Sequence, residues 1–580
     1  MRDLRQFLHI LAKENELAVI DQEVDPTLEI AEIHRRVVQS GGKALLFKNV
    51  KGSAFQVVTN LFGSEKRVEL AMPTKPEQFV ESLVRLAQEE FPPKIGTLWK
   101  RKNEFLKLFR LGTRTTKKAD VAECSHTPPN LNLIPMIKSW PEDGGHFITL
   151  PLVYTEHPEK KIPNLGMYRI QRFDSKTTGL HMQIAKGGGF HYAQAEKMNR
   201  SLPVAIFIGG PPALIFSAIA PLPENVPELV LASLLAGQKI EMGHYAGHPY
   251  PLIANAEFAL LGHAKPFERR LEGPFGDHYG YYSLAHEFPV FHCETMLHRR
   301  NAIYPATVVG KPPQEDLYIG DFLQRLFSPL ISMVMPAVKE LHTFGETGFH
   351  PLCAARIVER YERESLVHAL RILGEGQLSL TKFLMLTDQP IEIRNIRTLL
   401  ETVLSRFDPR TDIHIFSNTA HDTLDYTGPE LNKGSKAVLI GVGKEKRKLP
   451  EMFSGPLPHT IVKAIPFCKG CLVVEGVSYE EVADMSSITQ HAGFAEWPLL
   501  VLVDDAEVTV SSPLEFLWTV FTRFEPARDM YAKEARVVRH RLAYELPLMI
   551  DARMKPGYPE VLECDEVTKR LVDERWEGYF

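Results

Sequence analysis

Over the first 120 residues, apolar positions switch between helical and strand spacing. Residues 1–17, MRDLRQFLHILAKENEL, read as an amphipathic helix with acids on its polar face. Ala18-Val19-Ile20 precede Val24-Asp25-Pro26-Thr27, and Pro26 suits the first turn of a helix through Ala31, Ile33 and Val37. Gly41-Gly42 ends that helix, and residues 44–47 (ALLF) read as a buried strand. The basic, poorly periodic stretch 94–118 predicts a connection, which sets a boundary near residue 120.

From about 130 to 310 the pattern turns β-rich, with apolar segments at 147–155, 164–173, 204–208, 214–219 and 302–309. Gly187-Gly188-Gly189 and Gly209-Gly210-Pro211-Pro212 punctuate them as turns, and such a series predicts a barrel or sandwich. One helix interrupts it, at 226–238, with Glu228 in its first turn. After Pro312, strand and helix alternate as in a parallel α/β sheet: strand 383–386, helix 396–406, strand 413–416. Residues 383–412, FLMLTDQPIEIRNIRTLLETVLSRFDPRTD, return in weakened form as LLVLVDDAEVTVSSPLEFLWTVFTRFEPARD at 499–529. Asp388 answers to Asp504, Phe407 to Phe524, Pro409 to Pro526 and Asp412 to Asp529. We read a duplication, with the segment after 450 serving assembly rather than catalysis.

Composition narrows the class. The 580 residues are 44% hydrophobic and 24% charged with a net charge of -5, an ordinary globular balance without a basic nucleic-acid face. The apolar runs are shorter than the ~20 residues of a bilayer span, and the start lacks a signal peptide's apolar core, so the expected location is the cytoplasm. Six cysteines in a chain this size make no disulfide scaffold.

The sharpest chemical feature is Glu272-Gly273-Pro274-Phe275-Gly276-Asp277-His278-Tyr279-Gly280-Tyr281-Tyr282, two acids five residues apart around a Gly-Pro turn. Such a loop can aim both carboxylates into one cleft, although the spacing alone fits a solvated surface turn better. Asn164-Leu165-Gly166-Met167-Tyr168-Arg169 opens a strand on which an arginine stands among apolar neighbours and wants an anionic partner. Lys186 before the three glycines has no Gly-Lys-Ser/Thr sequence behind it and is no Walker motif. Cys468-Lys469-Gly470-Cys471 lacks the second pair that zinc wants and reads as two partly buried thiols in a βα segment.

Taken in order, VDPTLEIAEI (24–33), GGKALLFKNVKG (41–52), NLFGSEKRV (60–68), NLGMYR (164–169), EGPFGDHYGYY (272–282) and TKFLMLTD (381–388) closely resemble the UbiD family, decarboxylases of aromatic and α,β-unsaturated acids that use prenylated FMN. The likeness runs to about residue 445. It implies an α/β multidomain chain: an N-terminal α/β domain (1–120), a split β-barrel that binds the flavin (121–310), a C-terminal α/β oligomerisation domain (311–450) and a duplicated βα-type extension (451–580). The family's catalytic network implies Arg169, Glu272 and Asp277. We expect Arg169 to keep Glu272 ionised, and Asp277 to have a raised pKa and to donate the proton.

The resemblance also implies cofactor contacts at Asn164, Tyr168, Arg169, Lys186, Ser217, Ala218, Pro221, Glu228 and Lys382. Asn164 and Glu228 match two of the three ligands of a divalent manganese or magnesium ion, with potassium as a further ion. The third, a histidine, is replaced by Ala185, so the expectation is a weakly held metal. The implied reaction is non-oxidative decarboxylation of an aromatic acid, a prenylated hydroxybenzoate or naphthoate on the way to ubiquinone or menaquinone. The alternatives are a reversible decarboxylase or carboxylase of small phenolic or unsaturated acids, and a non-catalytic flavin-binding or assembly subunit. A flavin prenyltransferase would supply the cofactor. The chain would form a homo-oligomer, a dimer or hexamer, without nucleic acid or membrane span and with at most peripheral contact with a membrane.

Overall fold

The computed structural model describes residues 1–89, 111–182, 187–222 and 226–580. Most of the basic connection 94–118 and the pair Ala185-Lys186 lie outside these. The chain divides into two compact units, 1–326 together with 561–580, and 327–560. Among the described residues no helix is long and apolar enough to cross a membrane.

In the first unit, Leu17–Ile20 and Ala44–Phe47 pair in parallel, and Gln56–Thr59 and Ile303–Pro305 complete a four-stranded sheet. The helix Glu29–Gln39 packs beside it, three residues later than Pro26 suggested. The larger sheet runs in the order Thr177–Gly179, His286–His298, Phe258–Glu272, Leu202–Ile208, Pro151–Glu156, Pro163–Gly166, with Cys124–His126 on His286–His298. Its middle strand, LPVAIFI, is apolar throughout because both of its faces are covered. Ile206, Ile208, Phe258 and Phe291 belong to one core with Ile30, Ile33 and Leu45 of the N-terminal sheet.

Two local expectations fail for identifiable reasons. Segment 214–219 is the helix Ala213–Ile219, not a strand. Gly209 and Gly210 turn the chain at positive φ and Pro212 already holds helical angles, whereas a short apolar run alone fits either element. The three glycines are not a turn; they open the helix Gly187–Lys197. A Cβ on Gly187 would stand 1.9 Å from the Asn164 side-chain oxygen, and one on Gly188 would stand 3.0 Å from the Tyr168 ring. Glycine permits that approach.

The second unit holds two five-stranded sheets. Val338–Thr343, Leu352–Ile357, Phe383–Thr387, Lys433–Gly441 and Ile413–Ala420 form the first, in that spatial order. Ile461–Cys468, Cys471–Gly476, Leu499–Val503, Arg541–Asp551 and Met530–Val538 form the second. Cys468 and Cys471 close the hairpin of the second sheet around Lys469-Gly470, both buried, rather than starting a helix.

Candidate active site

The strand Pro163–Gly166 ends three residues before Arg169, which leads into Ile170–Gln171. Glu272 is the last residue of the long strand Phe258–Glu272, paired with His286 where the hairpin leaves the sheet. The loop beyond it is pinned at several backbone points. Gly273 donates to Gln171 Oε1 at 2.8 Å and Gly276 to Asp143 Oδ1 at 2.7 Å. Asp277 N–H reaches Tyr281 O at 3.1 Å, and Gly280 N–H reaches Asp277 O at 2.9 Å. Gly273 (φ 97°) and Gly280 (φ 85°) occupy the left-handed region that a side chain resists.

The three residues selected from the sequence meet. Arg169 Nε donates to Glu272 Oε1 at 3.0 Å, Nη1 to Asp277 Oδ2, and Nη2 to Ser283 Oγ at 2.9 Å. Its guanidinium stands 4.7 Å from the Phe275 ring centroid. The Glu272 side chain is fully buried, and those of Asp277 and Arg169 keep only 12% and 8% exposure. An imidazole flanks each acid: His181 Nδ1 lies 3.0 Å from Glu272 Oε1, and His278 Nδ1 lies 2.8 Å from Asp277 Oδ1.

Burial pushes the Glu272 pKa up, but the His181 hydrogen bond and the Arg169 charge outweigh it and hold the group below its ordinary value. Asp277 also lies below the usual carboxylate range: burial is overcome by His278 and by the charge of Arg169. The expected raised Asp277 is therefore corrected, because the adjacent His278 and an arginine that serves both acids favour its ionised form. Burial, then repulsion from Arg169, lowers His181 despite Glu272 beside it. Glu272 Oε2 is buried without a hydrogen-bond partner among the described residues and packs against Gly179.

A second cluster adjoins the strand Pro163–Gly166, which touches Gly187–Lys197, Ala213–Ile219 and Glu228–Ala236. Gly188 N–H donates to the Tyr168 hydroxyl at 3.0 Å, and Asn164 Nδ2 reaches the same hydroxyl at 3.5 Å. Glu228 Oε2 accepts Leu165 N–H at 2.9 Å, and burial raises its pKa. Ser217 is buried with its hydroxyl on Ala213 O, Ala218 is half-buried and Pro221 is exposed. Lys382 belongs to the other unit, where it is buried against Asp425 at 2.7 Å.

The donor set is poor for a hard divalent ion. Asn164 and Glu228 are present, Ala185 offers no ligand atom, and the described residues contain no group of three or more His, Cys, Asp or Glu suited to a metal. His191 Nδ1 is engaged by Thr155 Oγ1 at 3.0 Å, on the residue paired with Asn164 across the strands.

Sequence reasoning missed Gln171, Asp143, His278 and Ser283. Gln171 had a signal, since alternation puts it on the same side of the chain as Arg169. Asp143 had none; it reaches the loop from 133 residues away.

Residues 8–87, 113–312 and 317–441 match the N-terminal, Rift-related and C-terminal domains of 3-octaprenyl-4-hydroxybenzoate carboxy-lyase, the UbiD family. A Chlamydia pneumoniae protein named as one of the subunits of 4-hydroxybenzoate decarboxylase is 50% identical over 100% of this chain and 99% of its own. An Archaeoglobus fulgidus protein is 37% identical over 79% of this chain and 95% of its own. The chain belongs to the UbiD family of carboxy-lyases. Its fold is that of Sedimentibacter hydroxybenzoicus vanillic acid decarboxylase (TM-score 0.67, 24% identity, 79% of this chain and 96% of that one). It is likewise that of the UbiD-class enzyme HmfF from Pelotomaculum thermopropionicum, solved with FMN (TM-score 0.64, 24% identity, 76% and 94%).

Proposed function

We propose that the chain removes CO2 from a hydroxybenzoate-type aromatic acid, with Arg169, Glu272 and Asp277 as the catalytic residues. The observation that carries this reading is one buried arginine shared by two carboxylates, one of which has an orphaned oxygen. Loss of CO2 from an aromatic ring leaves an sp2 carbanion that the ring π-system cannot absorb. Prenylated FMN, when bound, supplies the electron sink.

The remaining tasks fall to this chain. Arg169 is the cation that an incoming carboxylate meets, and bonding to that carboxylate loosens its hold on Asp277. Burial then acts on Asp277 with less opposition, its pKa rises, and it becomes the group that carries a proton to the carbon left behind. Glu272, held by His181 as well, stays ionised and keeps the guanidinium oriented. Asn164, Tyr168, Ser217, Ala218, Pro221, Glu228 and, outside the described residues, Lys186 would hold the flavin; Lys382, buried against Asp425 in the other unit, is left out of this set. No step is assigned to a metal, since the donors among the described residues do not complete a site for one.

The name of the Chlamydia pneumoniae relative supports a phenolic acid, and the matched family's description supports a polyprenylated one. A homo-oligomer in the cytoplasm completes the reading. The test is turnover of 4-hydroxybenzoate and of a 3-prenylated analogue by protein co-produced with a flavin prenyltransferase. We expect Asp277→Asn to retain fold and flavin while losing turnover and solvent-deuterium exchange into product. Activity of that variant within about threefold of wild type removes Asp277 as the proton carrier.

A further inference from the structure

The residues at 561–580 leave the second unit and pack on the first. They lie beyond 441, where the family-matched segments stop, and they touch the loop that carries both acids. Val561 forms an antiparallel bridge with Tyr281, and Leu562 N–H donates to Gly280 O at 3.0 Å. The Leu562 side chain is buried against Trp140 and Tyr282. Tyr281 is the residue whose carbonyl takes the Asp277 N–H, so fixing Tyr281 fixes the turn from which Asp277 reaches Arg169.

The segment is firmly anchored. Helix Glu566–Tyr579, capped by Asp565, lies on Glu29–Gln39 with Val572 fully buried. Tyr579 donates to Glu29 Oε1 at 2.6 Å, Arg575 pairs with the same carboxylate, and Asp573 pairs with Arg36 at 2.6 Å.

The helix that receives it also braces the loop through Ser139 and Trp140. Arg35 lies 4.1 Å over the Trp140 ring and donates to Ser139 O at 2.9 Å. Ser139 and Trp140 N–H converge on Asp143 Oδ2, whose other oxygen takes Gly276 N–H. A Cβ on Gly276 would stand 2.0 Å from the Trp140 ring, so the loop has no slack there. Residues 276–282 are thus held by Trp140–Asp143 and by Val561–Leu562, with Leu562 and Trp140 in one cluster around Tyr282.

We propose that residues 561–580 are a positioning strap for the loop that carries Glu272 and Asp277. Docking of Glu566–Tyr579 on Glu29–Gln39 holds Leu562 against Gly280–Tyr282 and keeps Asp277 aimed at Arg169. The structural part stands on these contacts alone; its catalytic consequence rests on the function proposed above.

Two variants of the full chain test it. Val572→Asp puts a charge into a fully buried position and undocks the helix; Leu562→Gly leaves the helix docked and removes the contact with Trp140 and Tyr282. Hydrogen exchange is read without substrate, and kcat and KM with the acid that the wild type turns over. We expect amides of 276–282 to exchange about tenfold faster in both variants while Phe258–Glu272 and His286–His298 stay protected. The kcat should fall about tenfold with KM within about twofold, and the acid limb of its pH profile should move, since Asp277 held less firmly by Arg169 titrates nearer its ordinary value. Val572→Ile should match the wild type in every readout.

An undocked helix with the loop still exchanging at the wild-type rate overturns the proposal, as does a loosened loop with kcat and pH profile unchanged. If Val572→Asp also strips protection from the two long strands, Leu562→Gly decides alone, and wild-type loop exchange in it refutes the strap. A wild-type chain that decarboxylates no acid refutes the proposed function instead, and the exchange data still judge the strap.

Discussion

The two sheets of the second unit are one design executed twice with different interiors at one edge. Both run antiparallel, parallel, parallel, antiparallel in the same order. The likeness extends to single bonds. Asp412 Oδ2 accepts Asp408 N–H at 2.7 Å, and Asp529 Oδ2 accepts Glu525 N–H at 2.7 Å. Lys446 pairs with Asp412 as Lys555 does with Asp529. Asp388 takes the Gly443 N–H just past the last strand, and Asp504 takes the Met554 N–H.

The two copies also grip each other almost reciprocally. Ala527 N–H reaches Ser435 Oγ at 2.8 Å, and Tyr544 N–H reaches Pro409 O at 3.3 Å. Yet the positions one residue ahead of the parallel-paired stretches differ. Strand register equates Lys382 and Lys436 with Pro498 and Pro547. The first sheet buries two lysines with Asp425 and His421, and the second has two prolines that can carry no charge. A fold needs the aspartate caps in both copies; it does not need buried lysines, because one copy does without them.

Three experiments press on that contrast. The largest effect should come from Lys382→Met, which takes the 2.7 Å lysine partner from the buried Asp425 carboxylate, leaving it Thr427 and the more distant His421, and should cost about 3 kcal/mol. Lys382→Met with Asp425→Leu should recover most of it, as urea midpoints will show; no recovery would mean that the lysine is structurally required after all.

The matched caps come next, and their titration separates them. Burial on Asp412 is outweighed by Asp408 N–H, Lys446 and Arg363, so its pKa is lowered and its ionised form stabilises the fold. That contribution is present at neutral pH and lost as pH falls through the lowered pKa. Burial wins on Asp529 despite Lys555, so its pKa is raised and the fold gains stability as pH falls through that value. Asp412→Asn should cost about 2 kcal/mol at pH 7 and less in acid. Asp529→Asn should cost less at pH 7, with the gap to wild type widening in acid; parallel pH slopes for the two variants would erase the distinction.

The smallest effect concerns Lys436, which burial lowers to about 8 from 10.5. Its unfolded form binds more protons between those values, so wild-type stability should rise with pH across that window. Lys436→Met should flatten the rise; an unchanged slope would assign it to another group.

Much of this was legible in the sequence where a pattern is local. Ala44–Phe47, Phe383–Thr387 and Ile396–Arg406 stand at or within a residue of their expected bounds, because apolar period and capping residues act over a few positions. The R-F-[DE]-P turns pointed to two related units. The strand expected at 214–219 was not legible as a helix, because its apolar run fits both elements and the preceding Gly-Gly-Pro-Pro turn decided. The glycines at 187–189 gave a turn signal, whereas their need for small side chains comes from Asn164 and Tyr168, more than eighteen residues away.

The sequence by itself determined the residue types at these positions and the spacing of Glu272 and Asp277. Those are properties of short segments. Only the tertiary structure decided that one guanidinium holds both acids, that Asp277 is thereby lowered rather than raised, and that residues 561–580 return to close over the loop. The first and last of these depend on groups separated by 100 residues or more, as the 108 between Arg169 and Asp277 illustrate; the lowering of Asp277 draws on its neighbour His278 as well as on Arg169, in a setting where burial strips away the water that would otherwise screen the charges.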